Sequence, residues 1–145
     1  MKMSNSTNLT NPITVKTTVN ATIHKVWDYW TMPEHITQWN TASNDWHTPK
    51  AENNLQIGGK FNYRMEAKDG SFGFDFWGIY DEIQPFTKIT FTLGDDRKVE
   101  LLFEELEKAV KITETFEPEN QNPVEMQEFG WQAILNNFKM YTETH

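Results

Sequence analysis

Apolar residues recur with a helical period near the end of the chain, from Asn122 to Tyr141. At about 100° per residue they fall on one broad face, which holds Val124, Trp131, Ile134, Leu135, Phe138 and Tyr141. Asn122 is placed to cap the first turn, Pro123 suits the first helical position, and Glu125 occupies the place of a capping-box carboxylate. The pattern predicts a long amphipathic helix whose apolar face must be covered by the rest of the fold.

Earlier in the chain, the pattern predicts one strand followed by two short helices. Residues 13–19 alternate and are rich in β-branched side chains, which favours a strand. Residues 23–30 then carry apolar side chains at helical spacing, and Pro33 can begin a second helix. The polar segment Asn40 to Asn54 predicts a loop with one short strand around Trp46.

From Gly58 onward the period changes to two, which is typical of strands with one apolar face. Strands are predicted near residues 61–65, 72–83, 89–93, 99–103 and 110–116. Asp69-Gly70 predicts a hairpin turn, and Asp81-Glu82 predicts a bulge that resets the alternation. Because no strand-helix-strand unit repeats, the order of elements predicts an α+β fold. Its seven-stranded, curved antiparallel sheet wraps around the C-terminal helix, with two short helices after strand 1.

Composition narrows the classes of function. A chain of 145 residues with 37% hydrophobic residues suits one domain. The net charge of −8, with scattered Lys and Arg, disfavours a nucleic-acid partner. No cysteine is present, so neither a disulfide framework nor a sulfur-based metal site is expected. The sequence shows no signal peptide and no apolar run long enough to span a membrane, which predicts a cytoplasmic protein without membrane insertion. Residues 1–11 are expected to form a disordered polar tail.

Glu114 is the main candidate for chemistry, because it shares a strand face with Val110, Ile112 and Phe116. A carboxyl on that face must be paired, hydrogen-bonded or protonated. The alternative is a shift of the strand alternation that turns Glu114 to solvent. Gln127 lies opposite on the helix, where it could orient a ligand or cap the edge of the sheet.

Two histidines are a second candidate for acid-base chemistry. The motifs of several other kinds of site are missing from the sequence. His35 and His47 bracket two tryptophans in sequence and could reach a cavity mouth as an acid-base pair. No His-x-x-x-His spacing, glycine-rich phosphate loop or Ser-His-Asp order is present. The sequence therefore predicts no metal and no cofactor.

Six tryptophans and ten phenylalanines form an unusually aromatic set for a chain of this length. They can build either a bulky core or the wall of a ligand cavity. Composition alone does not separate these alternatives.

Several local strings, in order, resemble those of the START-like (Bet v 1-like, SRPBCC) helix-grip superfamily. Within it, the resemblance is to stand-alone relatives of the activator of heat-shock protein 90 ATPase. The matching strings include Trp30-Thr31-Met32-Pro33-Glu34-His35, Asp45-Trp46, Gly58-Gly59-Lys60-Phe61, Asp69-Gly70, Thr115-Phe116-Glu117 and Gly130-Trp131-Gln132. They cover nearly the whole chain beyond residue 12, so residues 12–145 are expected to form one START-like ligand-binding domain.

The resemblance implies a hydrophobic pocket between the sheet and the last helix, opening near the two short helices. By position, its wall would draw on Trp39, Trp46, Phe61, Met65, Phe74, Phe76, Tyr80, Glu114, Trp131, Ile134 and Phe138. The leading hypothesis is a non-enzymatic binder of a small hydrophobic ligand that is aromatic, lipid-like or polyketide-like. The alternatives are a cyclase- or hydrolase-type enzyme that uses Glu114 as acid or base, and a module that interacts with a chaperone ATPase. An exposed edge strand also allows a homodimer.

Overall fold

The structure, a computed structural model, describes residues 9–145. Most of the predicted disordered tail, residues 1–11, therefore lies outside the described residues. The elements in chain order are β1 (Ile13–Val19), α1 (Ile23–Thr31), α2 (Pro33–Trp39), β2 (Trp46–Asn53), β3 (Lys60–Ala67), β4 (Gly73–Gln84), β5 (Lys88–Leu93), β6 (Lys98–Glu105), β7 (Val110–Phe116) and α3 (Val124–Thr144). The strands of this region form one sheet in the order β1-β7-β6-β5-β4-β3-β2, with every neighbouring pair antiparallel. The predicted α+β helix-grip fold is confirmed.

The two short helices form where the sequence predicts them. The Thr22 hydroxyl accepts a hydrogen bond from the Lys25 N–H at 3.2 Å, which satisfies a first-turn donor of α1. Pro33 starts α2, where its missing N–H costs nothing. Ile36 and Trp39 are the buried residues of α2, so this helix holds its apolar side against the fold.

The segment predicted mainly as a loop instead contains the full strand β2. It pairs with β3 along its length, apart from a register shift between His47 and Lys50. β2 is an edge strand of the sheet, and edge strands carry polar residues on their open side. Its polar sequence therefore hides the two-residue period that marks the inner strands.

Helix α3 begins and ends later than predicted. Pro123 takes the N-cap position, and no side chain caps the first turn, so the predicted caps from Asn122 and Glu125 are wrong. The helix continues to Thr144. Val124 is 47% exposed rather than inward, whereas Leu135 and Phe138 are fully buried. The apolar face of the helix therefore docks from Gln127 onward, as the burial of that residue also shows.

The predicted bulge at Asp81-Glu82 is present as a register shift between Tyr80 and Glu82 in the pairing of β4 with β5. A bulge bends its strand and increases the local twist. Bending of this kind helps the sheet curl around α3.

Candidate functional site

A cavity of about 320 Å³ lies between the inner face of the sheet and helix α3. This volume is at the lower end of the range for small-molecule sites. Its lining combines aromatic and aliphatic side chains with a few polar ones: Trp30, Trp39, Asn40, Phe61, Tyr63, Met65, Phe74, Phe76, Tyr80, Ile89, Phe91, Arg97, Glu114, Glu119, Gln127, Trp131 and Ile134.

Phe61 lies at the centre of the sheet side of this cavity. Its ring centroid is 4.9 Å from that of Phe91, 5.0 Å from Tyr63 and 5.4 Å from Tyr80. These rings come from three adjacent strands, because β3, β4 and β5 place them on the same face. Edge-to-face and tilted ring pairs of this kind hold each other in fixed orientations. The floor of the cavity is therefore a rigid aromatic surface.

The lining beside the two short helices is formed by tightly packed rings. Trp30 and Trp39 lie 4.7 Å apart, and the Phe138 ring packs edge-on against each of them, at 4.8 Å and 5.0 Å. The Trp39 indole N–H donates to the Tyr29 carbonyl at 2.9 Å, which fixes the indole. Trp39 and the adjacent Asn40 are both buried.

The opposite end of the cavity meets solvent. The lining residues that keep exposure there are Phe74, at 39%, and the half-buried Arg97 and Glu119. They belong to the start of β4, the turn between β5 and β6, and the loop between β7 and α3, which lie at one end of the sheet. The partly exposed residues at this end of the sheet mark an opening of the cavity there, whereas the resemblance implied an opening near the two short helices.

Glu114 lies on the inner face of β7 and lines the cavity, with 7% of its surface exposed. Within residues 9–145, its carboxyl has neither a hydrogen-bond partner nor an ion-pair partner. Burial alone raises the pKa of Glu114 from 4.5 to about 8. At pH 7 the side chain is therefore mostly a neutral acid that can donate one O–H.

Tyr63 and Tyr80 add two hydroxyl groups to the same cavity. Burial raises the pKa of Tyr63 well above its ordinary value, and the neighbouring Tyr80 hydroxyl and Glu114 carboxyl raise it further. The Tyr80 hydroxyl donates to Asn53 Oδ1 at 2.5 Å, and the Asn53 amide donates to the Thr31 carbonyl. Tyr80 is thus already engaged, and Tyr63 is the hydroxyl-bearing neighbour of Glu114.

Gln127 ties the loop between β7 and α3 to the helix instead of facing a ligand with free groups. Its side-chain oxygen accepts from the Glu119 N–H at 2.9 Å, and its amide nitrogen donates to the carbonyls of Glu119 and Asn122 at 2.9 Å and 2.8 Å. The Glu119 carboxylate in turn accepts from the N–H groups of Gln121 and Asn122. This network holds one lip of the mouth in place.

Arg97 forms another part of the mouth. Its Nε donates to Asp95 Oδ2 at 2.8 Å, and its Nη1 donates to the Glu117 carbonyl at 3.3 Å. The guanidinium is therefore held at the rim by groups of neighbouring loops, away from the centre of the cavity.

Comparisons with known proteins fit this geometry. The family model for "Activator of Hsp90 ATPase homolog 1-like protein" matches residues 20–143. The chain belongs to the AHSA1-like family. An AHSA1-like protein from Aeromonas hydrophila is 38% identical, with 92% of each chain covered and a TM-score of 0.86. A protein from Cytophaga hutchinsonii is 51% identical, with 93% of this chain and 94% of that chain covered and a TM-score of 0.81.

A protein from Chromobacterium violaceum shares the fold of this AHSA1-like chain, with a TM-score of 0.82 at 20% identity over 92% of this chain and 99% of that chain. Comparison with proteins of curated function finds no match. The comparisons therefore give the family and the fold. The function has to be inferred from the geometry and chemistry of the site.

The structure brings together all the site residues predicted for this AHSA1-like chain except two, Trp46 and Phe138. Trp46 packs against Phe72 and Phe74, about 6 Å away at the hairpin between β3 and β4, and does not line the cavity. Phe138 is fully buried beneath Trp30 and Trp39, so it supports the wall without forming its surface.

Some lining residues were not predicted from sequence. Tyr63, Ile89 and Phe91 lie on inward positions of strands that the alternation had already assigned, so that signal could have found them. Arg97 and Glu119 come from loops, where no periodicity points to a cavity.

The histidines predicted as a possible acid-base pair lie apart and outside the cavity lining. His35 Nδ1 is 2.8 Å from the Tyr141 hydroxyl, and the His35 ring stacks on Tyr29. His47 Nε2 is 3.8 Å from Glu66 on the neighbouring strand. The cavity therefore offers Glu114 without a histidine partner.

Two kinds of feature are absent from the part of the chain that the structure describes. Among residues 9–145, no cluster of three His, Asp or Glu side chains could hold a metal ion. Over the same residues, none of the helices has the length and apolar character to cross a membrane.

Proposed function

We propose that this protein binds a small, largely apolar ligand, ring-bearing or acyl, in the cavity between the sheet and α3. The observation that carries the proposal is an aromatic cavity of about 320 Å³. It contains the buried Glu114 carboxyl, which has no partner among residues 9–145. An apolar wall with a few convergent polar groups is the usual form of a small-molecule site. The rings provide apolar contact area, and the Glu114 carboxyl provides a hydrogen-bonding group that can orient the ligand.

The packing of the site supports a ligand-binding cavity over a core that its own side chains fill completely. Phe61, Trp39 and Phe138 are held by neighbouring rings and are buried, so these side chains already have their packing partners. The cavity remains beside them, open at the mouth near Arg97 and Glu119. A ligand entering there would find the walls already in place, which limits the entropy lost on binding.

Thermal denaturation with a panel of lipids, flavonoid-like rings and polyketides tests this function. A ligand that binds only the folded state at about 100 times its Kd stabilises that state by about 2.7 kcal/mol. Tryptophan emission should shift as well, because Trp30, Trp39 and Trp131 line the cavity. If no member of the panel raises the melting temperature near 100 μM, the proposed function is contradicted.

A matched pair of substitutions on α3 locates the binding. Ile134 lines the cavity, whereas Met140 is 66% exposed on the same helix. Ile134→Trp adds bulk to the cavity and should abolish the ligand-induced rise in melting temperature. Met140→Trp adds the same indole outside the cavity and should leave that rise unchanged. An undiminished rise in Ile134→Trp would place the binding outside the cavity.

A second candidate function, an enzyme of cyclase or hydrolase type, draws on the pKa of Glu114. A carboxyl with a pKa of about 8 is matched to proton transfer near neutral pH. In that case Glu114→Gln should abolish turnover of a bound substrate while binding persists, as measured by product formation and by thermal shift in parallel. Normal turnover by the variant would remove Glu114 as the acid or base.

A further inference from the structure

Glu114 determines the chemistry that a ligand must present inside the cavity. Its side chain is 7% exposed and lines the cavity. In the described part of the chain, its carboxyl has no hydrogen-bond partner and no ion-pair partner. The carboxyl faces the cavity, so a polar atom of a bound ligand is placed to pair with it.

The groups packed around Glu114 offer no cation. On the adjacent strands, Val15 of β1 and Leu101 of β6 are its register partners. Across the cavity, α3 contributes Gln127, Trp131 and Ile134, none of which titrates. The titratable or charged groups that share the cavity lining are Tyr63, Tyr80, Arg97 and Glu119. Arg97 is held at the mouth by Asp95 and the Glu117 carbonyl.

Building on the ligand-binding function proposed above, we propose that the ligand is a neutral, ring-bearing carbonyl compound whose oxygen accepts a hydrogen bond from the protonated Glu114 carboxyl. The aromatic floor around Phe61 then contacts the ring or rings, and the apolar part next to Ile134 contacts the remaining carbon skeleton. The carbonyl oxygen is the acceptor that the buried O–H lacks.

A neutral acceptor fits this cavity better than an amine does. Burial raises the pKa of Glu114 to about 8, so at pH 7 the donor form already predominates. An ammonium ligand would require the carboxyl to ionise, and both charges would have to leave water for an apolar cavity, which is costly. Tyr63 stays neutral through the same pH range because burial also raises its pKa.

Three probes with one carbon skeleton separate the possibilities. They are benzylacetone, which carries a ketone, the primary amine that replaces that ketone, and butylbenzene, which carries neither group. Their affinities for the full chain would be measured by calorimetry and by tryptophan emission between pH 6.5 and 9.5. Butylbenzene is the control for any general effect of pH on the cavity.

The ketone should bind more tightly than the other two at pH 6.5. Its affinity should fall about thirtyfold between pH 6.5 and 9.5, because the protonated fraction of a group with a pKa near 8 falls by about that factor. The affinity of butylbenzene should stay nearly constant. In Glu114→Gln, whose amide donates at every pH, the pH dependence of ketone binding should disappear.

Other outcomes overturn the inference in distinguishable ways. If ketone and hydrocarbon bind equally and independently of pH, the cavity binds ligands but Glu114 does not select a carbonyl. If the amine binds best, with affinity that rises between pH 6.5 and 8.5, Glu114 acts as an anion and the ligand is a cation. If none of the three binds, the inference fails, and the thermal-denaturation panel described above decides separately whether the proposed function fails as well.

Discussion

Replacing Glu114 by glutamine should stabilise the protein near neutral and alkaline pH. The wild-type side chain is buried and has no partner among the described residues, and its pKa rises from 4.5 to about 8 on folding. Between these two values the native state keeps a proton that the unfolded state releases, so the stability of the wild type falls as pH rises. Glutamine has nearly the same size and does not titrate, so Glu114→Gln does not lose stability as pH rises.

The size of the effect follows from the same two pKa values. Each pH unit in this window costs the wild type about 1.4 kcal/mol. The loss reaches about 3 kcal/mol at pH 7 and about 5 kcal/mol above pH 8. The stability advantage of Glu114→Gln should therefore grow by about 4 kcal/mol between pH 5 and pH 8.

Urea unfolding followed by tryptophan emission at pH 5, 7 and 8.5 measures this difference. With a slope near 2 kcal/mol per M, the change of about 4 kcal/mol shifts the relative midpoints by roughly 2 M. Equal stability differences at all three pH values would contradict this prediction, because the pKa of Glu114 would then be the same in both states. A variant less stable than wild type at pH 8.5 would show that the carboxylate is satisfied in the native protein.

Glu117→Gln provides a control of opposite sign just after β7. Burial works against ionisation of Glu117, but its carboxylate accepts from the N–H groups of Thr10 and Lys98, each at 2.6 Å, and the net effect lowers its pKa. A lowered carboxyl pKa stabilises the native state above the unfolded pKa, and this stability is lost as pH falls. Glu117→Gln should therefore destabilise the protein at pH 7, by about 1 kcal/mol, and less at pH 4.

Further predictions concern packing. Gly130→Ala should raise the free energy of unfolding by about 0.5–1 kcal/mol, because alanine favours the helix and its Cβ would meet nothing within 4 Å. Its matched control, Gly78→Ala, should instead lower the melting temperature, since that Cβ would lie 2.8 Å from Phe61 and from the Thr92 carbonyl. Phe138→Ala should cost about 3–5 kcal/mol in chemical denaturation, because Phe138 is fully buried. A loss below 1 kcal/mol would contradict its supporting role.

The surroundings of Gly130 bear on why a glycine stands in the middle of α3. A glycine in mid-helix often marks a close approach of another element. Here the space beside Gly130 is open, so close packing does not require glycine at this position. The sequence shows the cost of this residue in the helix, and the structure gives it no packing reason.

Local patterns were sufficient for most of the fold. The two-residue period assigned the inner strands, and Pro33 and the bulge predicted at Asp81-Glu82 marked local features that the structure contains. These signals are short-range, because each depends on backbone geometry within a few residues. The two-residue period did not predict β2, because an edge strand has only one neighbouring strand and tolerates polar side chains.

Sequence alone determined that Glu114 shares an apolar strand face and that aromatic residues are in surplus. The three-dimensional contacts determine that Glu114 has no partner in residues 9–145 and that Gln127 is hydrogen-bonded to the loop before α3. They also place Arg97 at an opening of the cavity. These properties depend on groups far apart in sequence, such as Val15 beside Glu114, or on the course of loops. Periodicity assigns a side chain to a face, whereas burial, pairing and cavity shape depend on what the other elements bring to that face.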